Sequence, residues 1–194
     1  MAFKPLTAAL GVLTVAYPLL VYAGLGHVEP RHLALLLAGL ALVRAAVARQ
    51  PFWWAAAAGA CLLALLSFMG NALLPLKLYP VLVNAVFLAV FGISLRHPPS
   101  AIERLARLTD PNLPDAAVPY TRRVTQVWCL FFLGNGSVAL ATAMWASNDV
   151  WALYNGLISY GLMGCLFGGE WLVRQRVKAR IDNETLVRQG GPRG

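Results

Sequence analysis

Glu170 is the one acid placed well inside an apolar stretch of this sequence, and Arg174 follows it four residues later. On a helix that spacing sets the two side chains side by side, in the favourable acid-to-base order. A carboxylate at such depth has two chemistries open to it. Left alone it couples protons; paired, it snorkels with Arg174 or with Arg122 or Arg123. The ion pair is the expectation. Four amides, Asn71, Asn84, Asn135 and Asn155, lie at similar depth in successive apolar stretches, with Tyr79 and Tyr154 near the same layer. Amides in hydrocarbon either hydrogen-bond between helices or line a polar pocket. Interhelical bonding is the preferred reading, and a pocket open to the outer face is the alternative. Trp128, Asn135 and Thr142 recur every seven residues and share one helix face, expected to point into the interior. Arg104, Arg107, Arg122 and Arg123 form a basic group suited to a phospholipid head group or to the phosphopantetheine of an acyl carrier; retention of positive charge on one side of a membrane explains them without any ligand.

Other chemistry is missing from the sequence. Cys61, Cys129 and Cys165 show no paired spacing and share their depth with no histidine, so they read as small hydrophobes rather than metal ligands. His27, His32 and His97 fall at the borders of apolar stretches. The chain holds no P-loop, no His-Glu-x-x-His, no Gly-x-Ser-x-Gly and no acid–histidine pair at helical spacing. No catalytic residue, cofactor site or metal site is assigned, and a non-enzymatic role is favoured.

The elements that must position these residues follow from composition. Of 194 residues, 59% are hydrophobic and 12% charged, and the mean hydropathy is +0.63. Soluble domains are about 45–50% apolar and about 25% charged. A disordered chain, a disulfide scaffold and an ordinary soluble enzyme are excluded. A bilayer core about 30 Å thick needs roughly 20 apolar helical residues. Six stretches qualify, at about 6–25, 32–47, 52–72, 78–95, 120–145 and 150–173. Their apolar runs are continuous rather than alternating, which excludes a β-barrel. The fold expected is all-α: a polytopic membrane bundle of six transmembrane helices in one domain, 1–178, with a disordered tail, 179–194. Pro30, Pro51, Pro80 and Pro119 each open or precede a stretch, where a missing N–H costs nothing. Within the loop after the fourth stretch, Ile102, Leu105 and Leu108 alternate with charged residues at helical spacing. Residues 100–109 therefore read as an amphipathic helix on the cytoplasmic interface.

The basic residues give an orientation. With the N-terminus inside, 14 of the 16 lysines and arginines fall on one face, leaving Arg31 and Lys77 opposite. Both termini are then cytoplasmic. The net charge of +8 belongs to a surface facing anionic lipid, so nucleic acid is not an expected partner. Trp53, Trp54 and Trp171 mark the inner boundary, and Trp145 and Trp151 the outer one. Gly156, Tyr160, Gly164 and Gly168 stack at four-residue spacing, which permits close helix approach within the bundle or, in a homo-oligomer, across a dimer seam.

Two segments carry a resemblance. One comprises Pro99-Ser-Ala-Ile-Glu-Arg-Leu, Asn112-Leu-Pro and Tyr120-Thr-Arg-Arg-Val-Thr-Gln-Val-Trp-Cys-Leu-Phe-Phe-Leu-Gly-Asn-Gly. The other begins Val150-Trp-Ala-Leu-Tyr-Asn-Gly-Leu-Ile-Ser-Tyr and ends Gly169-Glu-Trp-Leu-Val-Arg. Together they resemble an uncharacterised bacterial inner-membrane family linked to aryl-polyene and fatty-acid-like biosynthesis genes. More distantly, residues 75–175 resemble the intracellular septation protein A family. The resemblance implies a multi-pass inner-membrane protein of the cell envelope, with membrane lipids and cytoplasmic biosynthetic or division proteins as partners. It offers no catalytic motif to carry over. Three roles follow: an accessory scaffold for envelope lipid or polyene-pigment biosynthesis; a small transporter or lipid flippase using the asparagine layer and Glu170; and an intramembrane acyltransferase-like enzyme, for which no nucleophile–base pair is present.

Overall fold

The structure, a computed structural model, describes residues 16–24, 27–48, 51–70 and 72–190, without the side chains of 51–52 and 178–190. Regular structure among the described residues is all helix. The elements are α1 (described over 16–24), α2 (Pro30–Ala48), α3 (Pro51–Gly70), a single turn α4 (Leu74–Lys77), α5 (Tyr79–Arg96), α6 (Ala101–Thr109), a 3₁₀ turn (Asp115–Ala117), α7 (Val118–Trp145), α8 (Asn148–Leu153), a π-helical turn (Tyr154–Ile158) and α9 (Ser159–Gly190).

Among the described residues, five helical stretches are long and apolar enough to cross a membrane: Pro30–Ala48, Trp53–Gly70, Leu74–Arg96, Asp115–Trp145 and Asn148–Val177. They coincide closely with five of the stretches expected from the sequence. The first expected stretch, 6–25, lies outside the described residues apart from 16–24, which are helical. Pro30 and Pro51 each begin a helix, and Pro80 and Pro119 occupy second positions, as the missing N–H requires. Large apolar side chains such as Leu62, Leu65, Leu66 and Met69 of α3 are exposed, an arrangement that suits hydrocarbon rather than water. The expected amphipathic segment is a helix, α6. The segment expected as a tail, 179–194, enters α9, which is continuous to Gly190, and no proline or glycine interrupts the chain between Gly169 and Gly190. Residues 191–194 lie outside the described residues.

The chain divides into two compact units. The first comprises Met1–Val90 with Phe131–Tyr160, and the second Phe91–Leu130 with Gly161–Gly194. In the first unit α2 packs on α3 through small residues, among them Ala34, Ala57, Ala60 and Ala64, all buried. Lipid offers no hydrophobic drive between helices, so close approach of small residues must supply the packing energy. The core is completed by Tyr17, Val21, Leu37, Leu76 and Trp151.

Trp151 corrects the sequence reading. It is 1% exposed and belongs to the core, not to an interfacial belt, whereas Trp145 is 81% exposed. The reason is a backbone interruption. Pro80 has no N–H, so the Leu76 carbonyl loses the donor that an unbroken helix gives it. The Tyr17 hydroxyl donates to that carbonyl at 3.2 Å, and the Trp151 indole N–H donates to the next one, Lys77 O, at 3.1 Å. Tyr17 also meets Tyr79 edge-on at 4.7 Å. The Lys77 ammonium lies 5.9 Å from the Trp151 ring, and the side chain is buried.

The second unit is organised by α6. Its first N–H groups are capped from other elements: Ala101 N–H donates to Ser94 Oγ at 2.9 Å and Ile102 N–H to Thr125 Oγ1 at 3.3 Å. Ser94 and Thr125 are both buried. These bonds replace the side-chain cap that Ser100, at the helix start, does not make.

Tyr17→Phe is expected to destabilise the protein by about 1–3 kcal/mol, because the Leu76 carbonyl is left without the phenol as donor. Pro80→Ala restores a backbone N–H to the same carbonyl, so in that background the cost of Tyr17→Phe should fall by at least half. Reversible unfolding in detergent measures both; equal costs in the two backgrounds would contradict this account.

Candidate functional site

The asparagine layer lies in the first unit. Asn84 of α5 donates through Nδ2 to the Pro80 carbonyl at 2.8 Å, and its Oδ1 accepts from Asn135 Nδ2 of α7 at 3.1 Å. Asn135 Oδ1 in turn accepts from the Tyr154 hydroxyl at 2.9 Å. The result is one unbranched chain, Tyr154 to Asn135 to Asn84 to Pro80 O. Gly136 makes it reachable: a Cβ there would stand 3.0 Å from Asn84 Cβ, so glycine lets α5 and α7 close to amide bonding distance.

Asn155 follows a separate route. Its Nδ2 donates to Thr142 Oγ1 at 3.2 Å and to the Trp151 carbonyl at 2.9 Å. The π-helical turn turns Tyr154 and Asn155, adjacent in sequence, onto α7 residues seven apart, Asn135 and Thr142. The asparagines Asn84, Asn135 and Asn155 are 8%, 8% and 3% exposed. Asn71 lies outside the described residues. Of the expected face Trp128, Asn135 and Thr142, the first two are buried and Thr142 is partly so.

Glu170 lies in the second unit, on α9. Arg174 Nε donates to its Oε1 at 2.9 Å, and the Tyr120 hydroxyl donates to the same oxygen at 3.1 Å and to the Glu170 carbonyl at 3.3 Å. The Glu170 side chain is 12% exposed and that of Arg174 40%. Arg174 is thus the ion-pair partner. Tyr120 is the partner of Glu170 that sequence reading passed over. The signal was present, since Tyr120 begins the fifth apolar stretch at the depth where Glu170 ends the sixth.

Tyr120 is also a wall common to two cavities. One, of 270 Å³, is an apolar groove between α7 and α9, lined by Val124, Val127 and Trp128 and by Cys165, Gly169 and Val173, with Glu170 at its polar edge. Trp128 and Phe167 contribute a tilted ring pair at 4.5 Å. The other, of 90 Å³, is lined by Thr109, Asp110, Thr121 and Arg174 and is more enclosed.

Three of the four candidate head-group arginines bond to the protein itself. Arg104 donates to Pro99 O at 2.8 Å and His97 O at 3.3 Å. Arg122 donates to Leu95 O at 2.9 Å. Both therefore neutralise carbonyls at and just beyond the α5 C-terminus, where cations are favoured. Arg107 pairs through Nε and Nη2 with Glu103 Oε1 at 3.0 and 2.9 Å. Arg123 is exposed. The glycine stripe divides. Gly156 is pressed against Leu19, 2.7 Å from where its Cβ would be, but Gly164 and Gly168 face open space. Close helix approach is thus confined to the first of these glycines. Cys61, Cys129 and Cys165 are free thiols, and no cluster of metal-ligating residues occurs among the described residues.

No protein-family model matches this chain, no curated protein is similar to it, and no solved structure matches it.

The amide chain generates a quantitative expectation. Asn84→Leu and Asn135→Leu should each destabilise the protein, and a double-mutant cycle should return a coupling of about 0.6–1.7 kcal/mol, the range for hydrogen bonds between membrane helices. A coupling indistinguishable from zero in detergent unfolding would show that the Asn135–Asn84 bond contributes nothing.

Proposed function

We propose that this chain is a multi-pass protein of a bacterial inner membrane, with both termini in the cytoplasm, and that it acts as a non-enzymatic accessory. In this role it holds envelope-lipid, pigment-building or envelope-maintenance proteins at the cytoplasmic face. The orientation rests on the placement of 14 of 16 basic residues on one side. The observation that carries the reading is α6. Its first turn is fastened by Ser94 and Thr125, while Leu105 and Leu108 near its far end are 56% and 81% exposed. A helix held at one end and apolar on its outer edge suits the interface between head groups and cytoplasm. The intramembrane amides favour the same role, because Asn84, Asn135 and Asn155 are occupied with one another, with Thr142 or with helix carbonyls.

A second reading, a small transporter or lipid flippase, is supported by one observation: Glu170 is an acid within a membrane-spanning window, held by Tyr120 and Arg174. Glu170→Gln separates the two. A coupling carboxylate predicts loss of activity at unchanged protein level, and a structural ion pair predicts a lower protein level or no change in function.

Single cysteines introduced at Leu105, Leu108 and Arg123 in a cysteine-free background should react with a membrane-impermeant maleimide only after the inner membrane is opened from the cytoplasmic side. Leu105→Asp with Leu108→Asp should abolish recruitment of cytoplasmic partners while leaving the protein in the membrane at normal level. Labelling of these positions from the periplasm would overturn the orientation.

A further inference from the structure

We infer that the second unit binds one phospholipid with a primary amine in its head group, taking an acyl chain into the α7–α9 groove and the head into the cavity beyond Tyr120. The inference rests on the membrane-spanning reading and on nothing else in the proposed role.

The groove residues lie within the windows Asp115–Trp145 and Asn148–Val177, so its open side faces hydrocarbon. Val124, Val127, Cys165 and Val173 give it an apolar lining, and Gly169 leaves it unfilled, since a Cβ there would meet nothing within 4 Å. A furrow of this kind in a lipid-facing surface is occupied by a lipid chain; the remaining question is which head group accompanies it. The neighbouring cavity answers by charge. It brings together one cation, Arg174, and one carboxylate, Asp110, with the hydroxyl-bearing Thr109 and Thr121. Arg174 bonds to Glu170 through Nε and also meets the Tyr120 hydroxyl, and its side chain, 40% exposed, keeps guanidinium surface open to a phosphate. Asp110 stands for the complementary ammonium. A head group carrying only negative charge would leave Asp110 opposed to it, and a quaternary ammonium would offer Asp110 no N–H. A phosphate joined to a primary amine satisfies both, which is the head group of phosphatidylethanolamine. Tyr120 lines groove and cavity alike, placing its ring where chain and head group meet.

The full-length protein is reconstituted in nanodiscs of phosphatidylcholine containing equal minor fractions of phosphatidylethanolamine and phosphatidylglycerol. It is then transferred to mild detergent, and the retained lipid is read by native mass spectrometry. Retention of one phosphatidylethanolamine per chain, about tenfold over either other lipid, is expected, the ratio that one charge-assisted hydrogen bond provides. Asp110→Asn, a change at an exposed helix end, should remove the preference for phosphatidylethanolamine over phosphatidylglycerol. Gly169→Leu grows into open space, so it should lower retention about tenfold while leaving the unfolding midpoint unchanged; Gly161→Leu, outside the groove, is the control. Equal retention of the anionic lipid by the unaltered protein overturns the head-group assignment. Unchanged retention in Gly169→Leu overturns the groove. Efficient Cys165–Cys165 crosslinking with no lipid retained would mean that a second copy covers this face, and also overturns the proposal. None of these outcomes involves a cytoplasmic partner, so the accessory role is judged separately.

Discussion

In hydrocarbon a backbone carbonyl that loses its helical donor must find another within the protein, and much of the first unit is arranged around that requirement. The interruption between α4 and α5 is the clearest case. Pro80 deprives Leu76 O of its N–H, and the phenol of Tyr17 reaches it from α1. Trp151 serves Lys77 O, and the Asn84 amide serves Pro80 O. Two carbonyls at the interruption are met by polar side chains from two other helices, α1 and α8, and the Asn84 amide adds a side-chain donor to Pro80 O within α5. Those side chains are consequently buried, and their burial sets how closely the helices approach. The π-helical turn at Tyr154–Ile158 is a second irregular stretch, and there Asn155 turns its amide back onto Trp151 O. Polar residues in these spans therefore complete the backbone first and link helices second.

The arginines show the same economy at the membrane boundary. In the proposed orientation positive charge gathers on one side; their geometry shows what they do once placed. Arg104 and Arg122 bond to carbonyls at and beyond the end of α5, which an ending helix would otherwise leave to water or lipid head groups. Arg107 pairs with Glu103, whose side chain is 8% exposed. Topology and local structure thus draw on the same residues. A variant that removed one of these arginines would alter α6 and the α5 terminus as well as the surface charge.

What could be read from the sequence divides along a physical line. Continuous apolar runs and the prolines at their starts give five stretches closely, because length and a missing N–H are local properties. Pairing of Glu170 with Arg174 was legible for the same reason, being one turn of one helix. The Asn84–Asn135 bond was legible only as a shared depth. Matching depth across antiparallel spans would equally have found Tyr120 opposite Glu170. Other features depended on tertiary contacts that no local pattern reports. Trp151 looks like a boundary tryptophan until Lys77 O is placed beside its N–H. Gly156 and Gly164 are equivalent in the pattern, yet only Gly156 has a neighbour, Leu19, against it. The π-helical turn carries no sequence signature at all, although it is what presents both Tyr154 and Asn155 to α7.

The two units differ in what they leave unspent. In the first, the described amides and the Tyr17 and Tyr154 hydroxyls donate to named acceptors, and the residues that carry them sit among buried alanines and aromatic rings. Such an interior is suited to holding helices in register. In the second, Ser94 and Thr125 are buried as the caps of α6, but other groups stand at edges. Arg174 keeps part of its guanidinium exposed beside a cavity, Leu105 and Leu108 project from α6, and a Cβ at Gly164, Gly168 or Gly169 of α9 would meet nothing within 4 Å. Binding requires surface that the protein has not already used on itself. A site in this chain is therefore to be sought around Tyr120, where an intramembrane ion pair, an apolar groove and a second, more enclosed cavity adjoin, rather than at the asparagines, whose amides already have protein partners.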